Sequence, residues 1–140
     1  MEELLTLRKY IEEKKLDQAL EFVAELEEML KEDKLNKIFS YAVILLLYLV
    51  KQEAKKRTTR SWDFSIYNFI KEIKKINKRR KSGGYYATEE ELKEIIMDAF
   101  DTAIRKASLE AFEGKYSPEE LILQIDSNLI QSLALKLILS

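Results

Sequence analysis

Between Arg60 and Arg80 the chain sets Phe64 and Tyr67 among Lys71, Lys74, Lys75, Lys78, Arg79 and Arg80. At helical spacing, Arg60, Phe64, Tyr67, Lys71, Lys74, Lys75 and Lys78 fall on one side. Trp62, Ile66, Phe69, Ile70, Ile73 and Ile76 fall in an apolar arc opposite, the face expected to meet a core. Cationic groups neutralise phosphates, and flat rings between them stack on bases. The pattern outlines an anion or nucleic-acid face. The plainer reading is a solvated lysine-rich helix neutralised by acidic neighbours, with Phe64 and Tyr67 covered by another helix or a second subunit.

A second set of groups is acidic. Glu90, Glu94, Asp98 and Asp101 recur at helical spacing, and Glu25 with Glu28 would complete a paired-carboxylate magnesium site of the kind used by helical pyrophosphohydrolases. Such spacing is generic in a chain with 25 Asp and Glu, and the acids point away from the apolar stripe of their own helix, so solvation explains them better. The chain has no Cys and no His, which excludes disulfides, thiolate zinc sites, cysteine nucleophiles and every His-dependent triad or metal motif. The Gly83-Gly84 pair lacks a following Gly-Lys-Ser/Thr, so it is a turn and not a phosphate loop. No catalytic, cofactor-binding or metal-ligating residue is assigned, no cofactor is expected, and the reading leans away from an enzyme.

The charge is segregated along the 140 residues. Lys and Arg number 24 against 25 acids, yet residues 51–81 hold 12 basic and 3 acidic side chains, a net +9. The flanks are acidic, with −4 over residues 1–50 and −6 over residues 82–140. With 3 Gly and 1 Pro, hairpin punctuation is scarce, and the Ala, Leu, Glu and Lys bias favours helix. The many Glu and Lys, beside few Asn and Gln, also give a thermophile-like composition.

These side chains need helices to carry them. The expected fold is all-α, a single domain over residues 1–140 with about six helices and a central apolar one. The first helix runs from about Glu3 to Lys14. Asp17 caps a second that reaches about Glu32, and a third starts near Leu35 and includes the apolar run Ile38–Val50. That run rises about 20 Å as a helix, short of the roughly 30 Å of a bilayer core, so no membrane span is expected. Ser61 is the expected N-cap of the basic-aromatic helix, which ends near Arg80. Thr88–Glu91 and Ser117–Glu120 match capping boxes, the second with Pro118 at the first helical position, and Gly114 suits a helix C-terminus. The apolar stretch Leu129–Leu139 must dock on the body of the protein or on a partner.

Arg60-Ser61-Trp62-Asp63-Phe64-Ser65-Ile66, directly after an apolar helix with a basic end, resembles the Arg/Ser-Trp-x-x-Ser/Thr-Ile motif of the bacterial family known as domain of unknown function 29. Leu45-Leu46-Leu47-Tyr48-Leu49-Val50-Lys51 is similar to that family's Leu-Leu-x-His-Leu-Leu-Lys element. Phe100–Glu110 resembles its Tyr-x-x-Ala-Arg-x-x-Ala-x-x-Glu helix, and Tyr116–Leu121 its closing Tyr/Pro segment. The resemblance spans about residues 16–125. Tyr48 stands where His is usual, Lys81–Gly84 replaces a Ser-Pro-Ser-Leu turn, and the family's Trp-containing start is missing. The resemblance implies an all-helical fold and no established activity. Trp62 is read as a packing anchor, since a Trp in the first turn on a core face contributes mainly by burial.

The resulting expectation is a cytoplasmic, soluble, non-catalytic protein-interaction or scaffold domain, with a protein partner or a homo-oligomer. The alternative is nucleic-acid or phosphate binding through residues 51–81, and third a carboxylate–magnesium hydrolase.

Overall fold

The computed structural model describes residues 2–79 and 83–140, without the side chains of Ala111 and Phe112. The chain is all-α. Its helices are α1 (Glu2–Glu12), α2 (Leu16–Lys55), α3 (Arg60–Asn77), α4 (Glu89–Glu110), α5 (Pro118–Ile122) and α6 (Ser127–Leu139), with a 3₁₀ turn at Ala111–Gly114. No helix among the described residues is long and apolar enough to cross a membrane.

The expected second and third helices are one helix of 40 residues. Between them, Glu32-Asp33-Lys34-Leu35 offers neither Gly, Pro nor a β-branched run, so nothing interrupts the hydrogen-bond ladder. Two compact units follow from the packing, residues 1–33 and residues 34–140.

The first unit is a helical hairpin. Lys14 turns the chain with a φ of 58°, and the Lys15 amide reaches back to the Tyr10 carbonyl at 2.8 Å, closing the end of α1. Tyr10 meets Phe22 edge to face with ring centroids 6.1 Å apart. At the turn, the Lys15 ammonium lies 2.9 Å from Glu13 and holds that carboxyl below its usual range. Ala19 is the buried apolar residue of this unit.

The second unit has a true core. Ile38, Leu45, Leu46 and Val50 of α2 pack with Ile73 of α3, Leu92, Ile96 and Ile104 of α4, and Leu121 of α5. Ile38–Val50 is accordingly central. Ala99, Ala103 and Ala107 are buried on α4, and α6 packs against α4 and α3 with Ile130, Ala134 and Ile138 buried. The C-terminal apolar helix therefore docks on its own unit, leaving Leu129, Leu133 and Leu139 outward.

Both predicted capping boxes form. The amides of Glu91 and Glu120 donate to the hydroxyls of Thr88 and Ser117, and the two glutamates accept the cap amides in return. Gly114, the last residue of the 3₁₀ turn, adopts a φ of 75°, as an L side chain rarely does.

Candidate functional site

The start of α3 is fixed by a polar corner. The cap is Thr59, two positions before the expected Ser61, which lies within the first turn; the Thr59 hydroxyl accepts the Trp62 amide at 3.1 Å. Thr58 and Gln52 both donate to the Asp63 carboxylate, at 2.7 and 3.2 Å, which ties the end of α2 to the first turn of α3. The guanidinium of Arg57 lies over the Trp62 ring at 5.4 Å. Trp62 is half-buried beneath it, so the family-like motif builds the corner from which the basic-aromatic helix projects.

Along α3, Ile73 faces the core with zero exposure, and Ile66, Phe69, Ile70 and Ile76 pack partly buried beside it. The opposite side is open. Phe64 and Tyr67 are 67% and 63% exposed, and Arg60, Lys71, Lys74, Lys75 and Lys78 are exposed in line with them. Two aromatic rings stand in solvent at the N-terminal half, followed by lysines at the C-terminal half.

The helix ends in a short pairing. Lys78 bridges to Tyr85, the Tyr86 amide donates to the Asn77 carbonyl at 2.8 Å, and the Arg79 amide donates to the Gly84 carbonyl at 3.0 Å. Gly83 and Gly84 have φ of 72° and 75°, which supplies the left-handed turn this pairing requires. The Arg79 guanidinium lies 5.0 Å from the Tyr86 ring and Lys34 lies 5.9 Å from it. Arg80 lies outside the described residues.

Acidic neighbours do not neutralise the whole basic segment. Lys51 pairs with Glu110 at 3.1 Å, Lys56 with Glu53 at 2.9 Å, and Arg57 is committed to Trp62. Asp101 of α4 is paired with Arg105 at 3.3 Å. Among the described residues, Arg60, Lys71, Lys75 and Lys78 make no ion pair, while Lys74 donates to the Ser140 carbonyl at 2.6 Å. The surviving positive charge is therefore concentrated on the exposed face of α3.

A groove of about 410 Å³ adjoins the basic end of this face. Lys74, Lys78 and Tyr85 form one side, and Leu92, Ile138 and Leu139 contribute apolar wall. Such a groove accepts an apolar anchor beside Lys78 and Lys74, with Glu89 also at its lining. The sequence alone did not indicate it, because it forms only where α6 and the start of α4 meet α3.

The α4 acids are different. Glu90, Glu94, Asp98 and Asp101 are exposed, and no group of three or more carboxylates among the described residues is placed to hold a metal ion.

No curated protein matches this chain, and no solved structure matches it. The family described as Domain of unknown function DUF29 matches residues 4–133 of the chain, from within α1 to within α6, beyond the span its motifs suggest. The chain belongs to the family described as Domain of unknown function DUF29.

Proposed function

We propose that this protein is a cytoplasmic, non-catalytic interaction module that docks an acidic, amphipathic protein segment on the exposed face of α3. The observation that carries this reading is the alignment of solvent-exposed Phe64 and Tyr67 with lysines that lack carboxylate partners. Paired exposed rings with cations following along the same helix face suit a protein interface, where a few large anchors supply most of the energy. The adjoining groove favours the same partner, since its apolar wall suits a Leu or Phe side chain and Lys78 at its edge suits a flanking carboxylate.

Nucleic-acid binding is the second reading, supported by the same unpaired cations. Single-stranded binders run the backbone through a charged groove with rings spaced along it. Here the rings sit together at one end of a convex helix and the lysines at the other, which favours a protein partner.

Photocrosslinking tests the proposal. With p-benzoylphenylalanine at position 67, a discrete protein adduct is expected in cells, identified by mass. The same group at position 109, where Leu109 is exposed on α4, serves as the control. Adducts to nucleic acid alone favour the second reading, and equal yields at both positions overturn the docking face.

A further inference from the structure

The first unit leaves several of its large apolar side chains exposed. Leu4, Leu5, Ile11, Leu16, Leu20, Met29 and Leu30 are each 55–65% exposed. An 11-residue helix such as α1 is marginal in water on its own, because helix nucleation is costly and short helices depend on packing. Exposed apolar residues at this density mark a surface that meets something. Residues 1–33 carry 11 acids and 5 cations, a net −6. An acidic helical hairpin with an apolar surface is the chemistry that the α3 face takes.

We propose, on the reading of α3 as a protein-docking face, that its occupant is the N-terminal hairpin of a second copy of this chain. Three observations select this partner. The −6 hairpin is complementary to Arg60, Lys71, Lys75 and Lys78 of the α3 face, which make no ion pair, whereas pairing two hairpins would set −6 against −6. The hairpin part of α2, residues 16–33, equals α3 in length, each about 27 Å at helical rise. Leu20 and Leu30 supply apolar anchors for Phe64, Tyr67 and the groove beside Lys74 and Lys78. The contact joins different surfaces of two copies. It closes as a reciprocal pair, both hairpins docked, or propagates as a chain.

Sedimentation equilibrium of the full chain tests this. The native protein is expected to self-associate, and to do so at least tenfold more weakly as salt rises from about 0.01 M to about 1 M, over which the Debye length falls from roughly 30 to 3 Å. Two variants dissect the contact: Leu20→Glu/Leu30→Glu removes the hairpin anchor, and Lys71→Glu/Lys75→Glu reverses the face. Each alone is expected to be monomeric, while an equimolar mixture forms a one-to-one pair, because each supplies the surface the other lacks. If the first variant loses helix by circular dichroism, Leu20→Gln/Leu30→Gln replaces it.

Three results overturn the proposal. One is a native protein with no association tighter than about 1 mM. Another is a face-reversed variant that associates like the native chain, which would indicate hairpin–hairpin pairing. The third is association that strengthens with salt. A monomeric native protein whose position 67 still crosslinks a different protein removes the second copy and leaves the docking face standing. With neither association nor crosslink, both fall.

Discussion

The side-chain carbonyl of Asn77 accepts the main-chain N–H of Ala87 at 2.8 Å, so the last residue of α3 holds the residue that precedes the Thr88 cap of α4. Among the described residues, Asn77 and Ser108 are the buried polar ones, and the Asn77 main-chain carbonyl also accepts the Tyr86 amide. The two bonds fix the basic end of α3 against the start of α4, where the groove lies. Replacing Asn77 by Ala leaves the Ala87 amide buried without its acceptor. The expected loss is about 1–3 kcal/mol of stability, measured by urea unfolding. A change within error would mean that the amide finds water.

The two sides of α3 predict opposite responses. Ile73→Ala empties a fully buried site and is expected to cost about 2–5 kcal/mol. Lys75→Ala, two residues on and exposed, is expected to change stability by less than about 0.5 kcal/mol. Equal losses in thermal unfolding would contradict the outward placement of the lysines.

Trp62, the chain's single tryptophan, reports on the corner. Arg57→Ala removes the guanidinium over its ring and is expected to cost about 0.5–1 kcal/mol. It should also increase acrylamide quenching of Trp62 fluorescence. Unchanged quenching would place Arg57 elsewhere in solution.

The cap of α5 is a local test. Ser117→Ala removes the hydroxyl that accepts the Glu120 amide and breaks the reciprocal pair, with an expected loss of about 0.5–2 kcal/mol in chemical unfolding. Because Leu121 is fully buried one residue later, fraying of α5 also loosens the core, and amide exchange at Leu121 should accelerate.

Much of this architecture is legible in the residues. Ile38–Val50 reads as a central helix because it is apolar nearly all round, and the Thr88 and Ser117 caps read directly because capping is a local interaction. The continuity of α2 is less legible. A change from amphipathic to fully apolar character near Leu35 resembles a boundary, yet hydrophobic patterning reports burial and not the hydrogen-bond ladder. The cap at Thr59 illustrates a similar limit, since Thr58, Thr59 and Ser61 all have a suitable hydroxyl and only the Gln52–Asp63 corner selects among them.

The site was legible in part. The wheel separates Ile73 from Lys71 and Lys75, and it places Phe64 and Tyr67 on the outer side. It cannot tell whether another element covers those rings, which depends on tertiary packing. The hairpin shows the opposite difficulty. Leu20 and Leu30 repeat at helical spacing like core residues, yet they remain exposed, because residues 1–33 bury little beyond Ala19. The groove at Lys74 and Lys78 depends on residues as distant in sequence as Leu92 and Ile138, so no local pattern indicates it.

The central claim is that the outward face of α3 is an interaction surface whose anchors are Phe64 and Tyr67. The most direct measurement is the affinity of the partner crosslinked at position 67, or of a second copy, for native protein and for Phe64→Ala/Tyr67→Ala. With both anchors removed, binding is expected to weaken about 100-fold or more, as for hot-spot residues worth roughly 1.4 kcal/mol or more each. The melting temperature should stay unchanged, because both rings stand in solvent. An unaltered affinity in a folded double variant would contradict the claim.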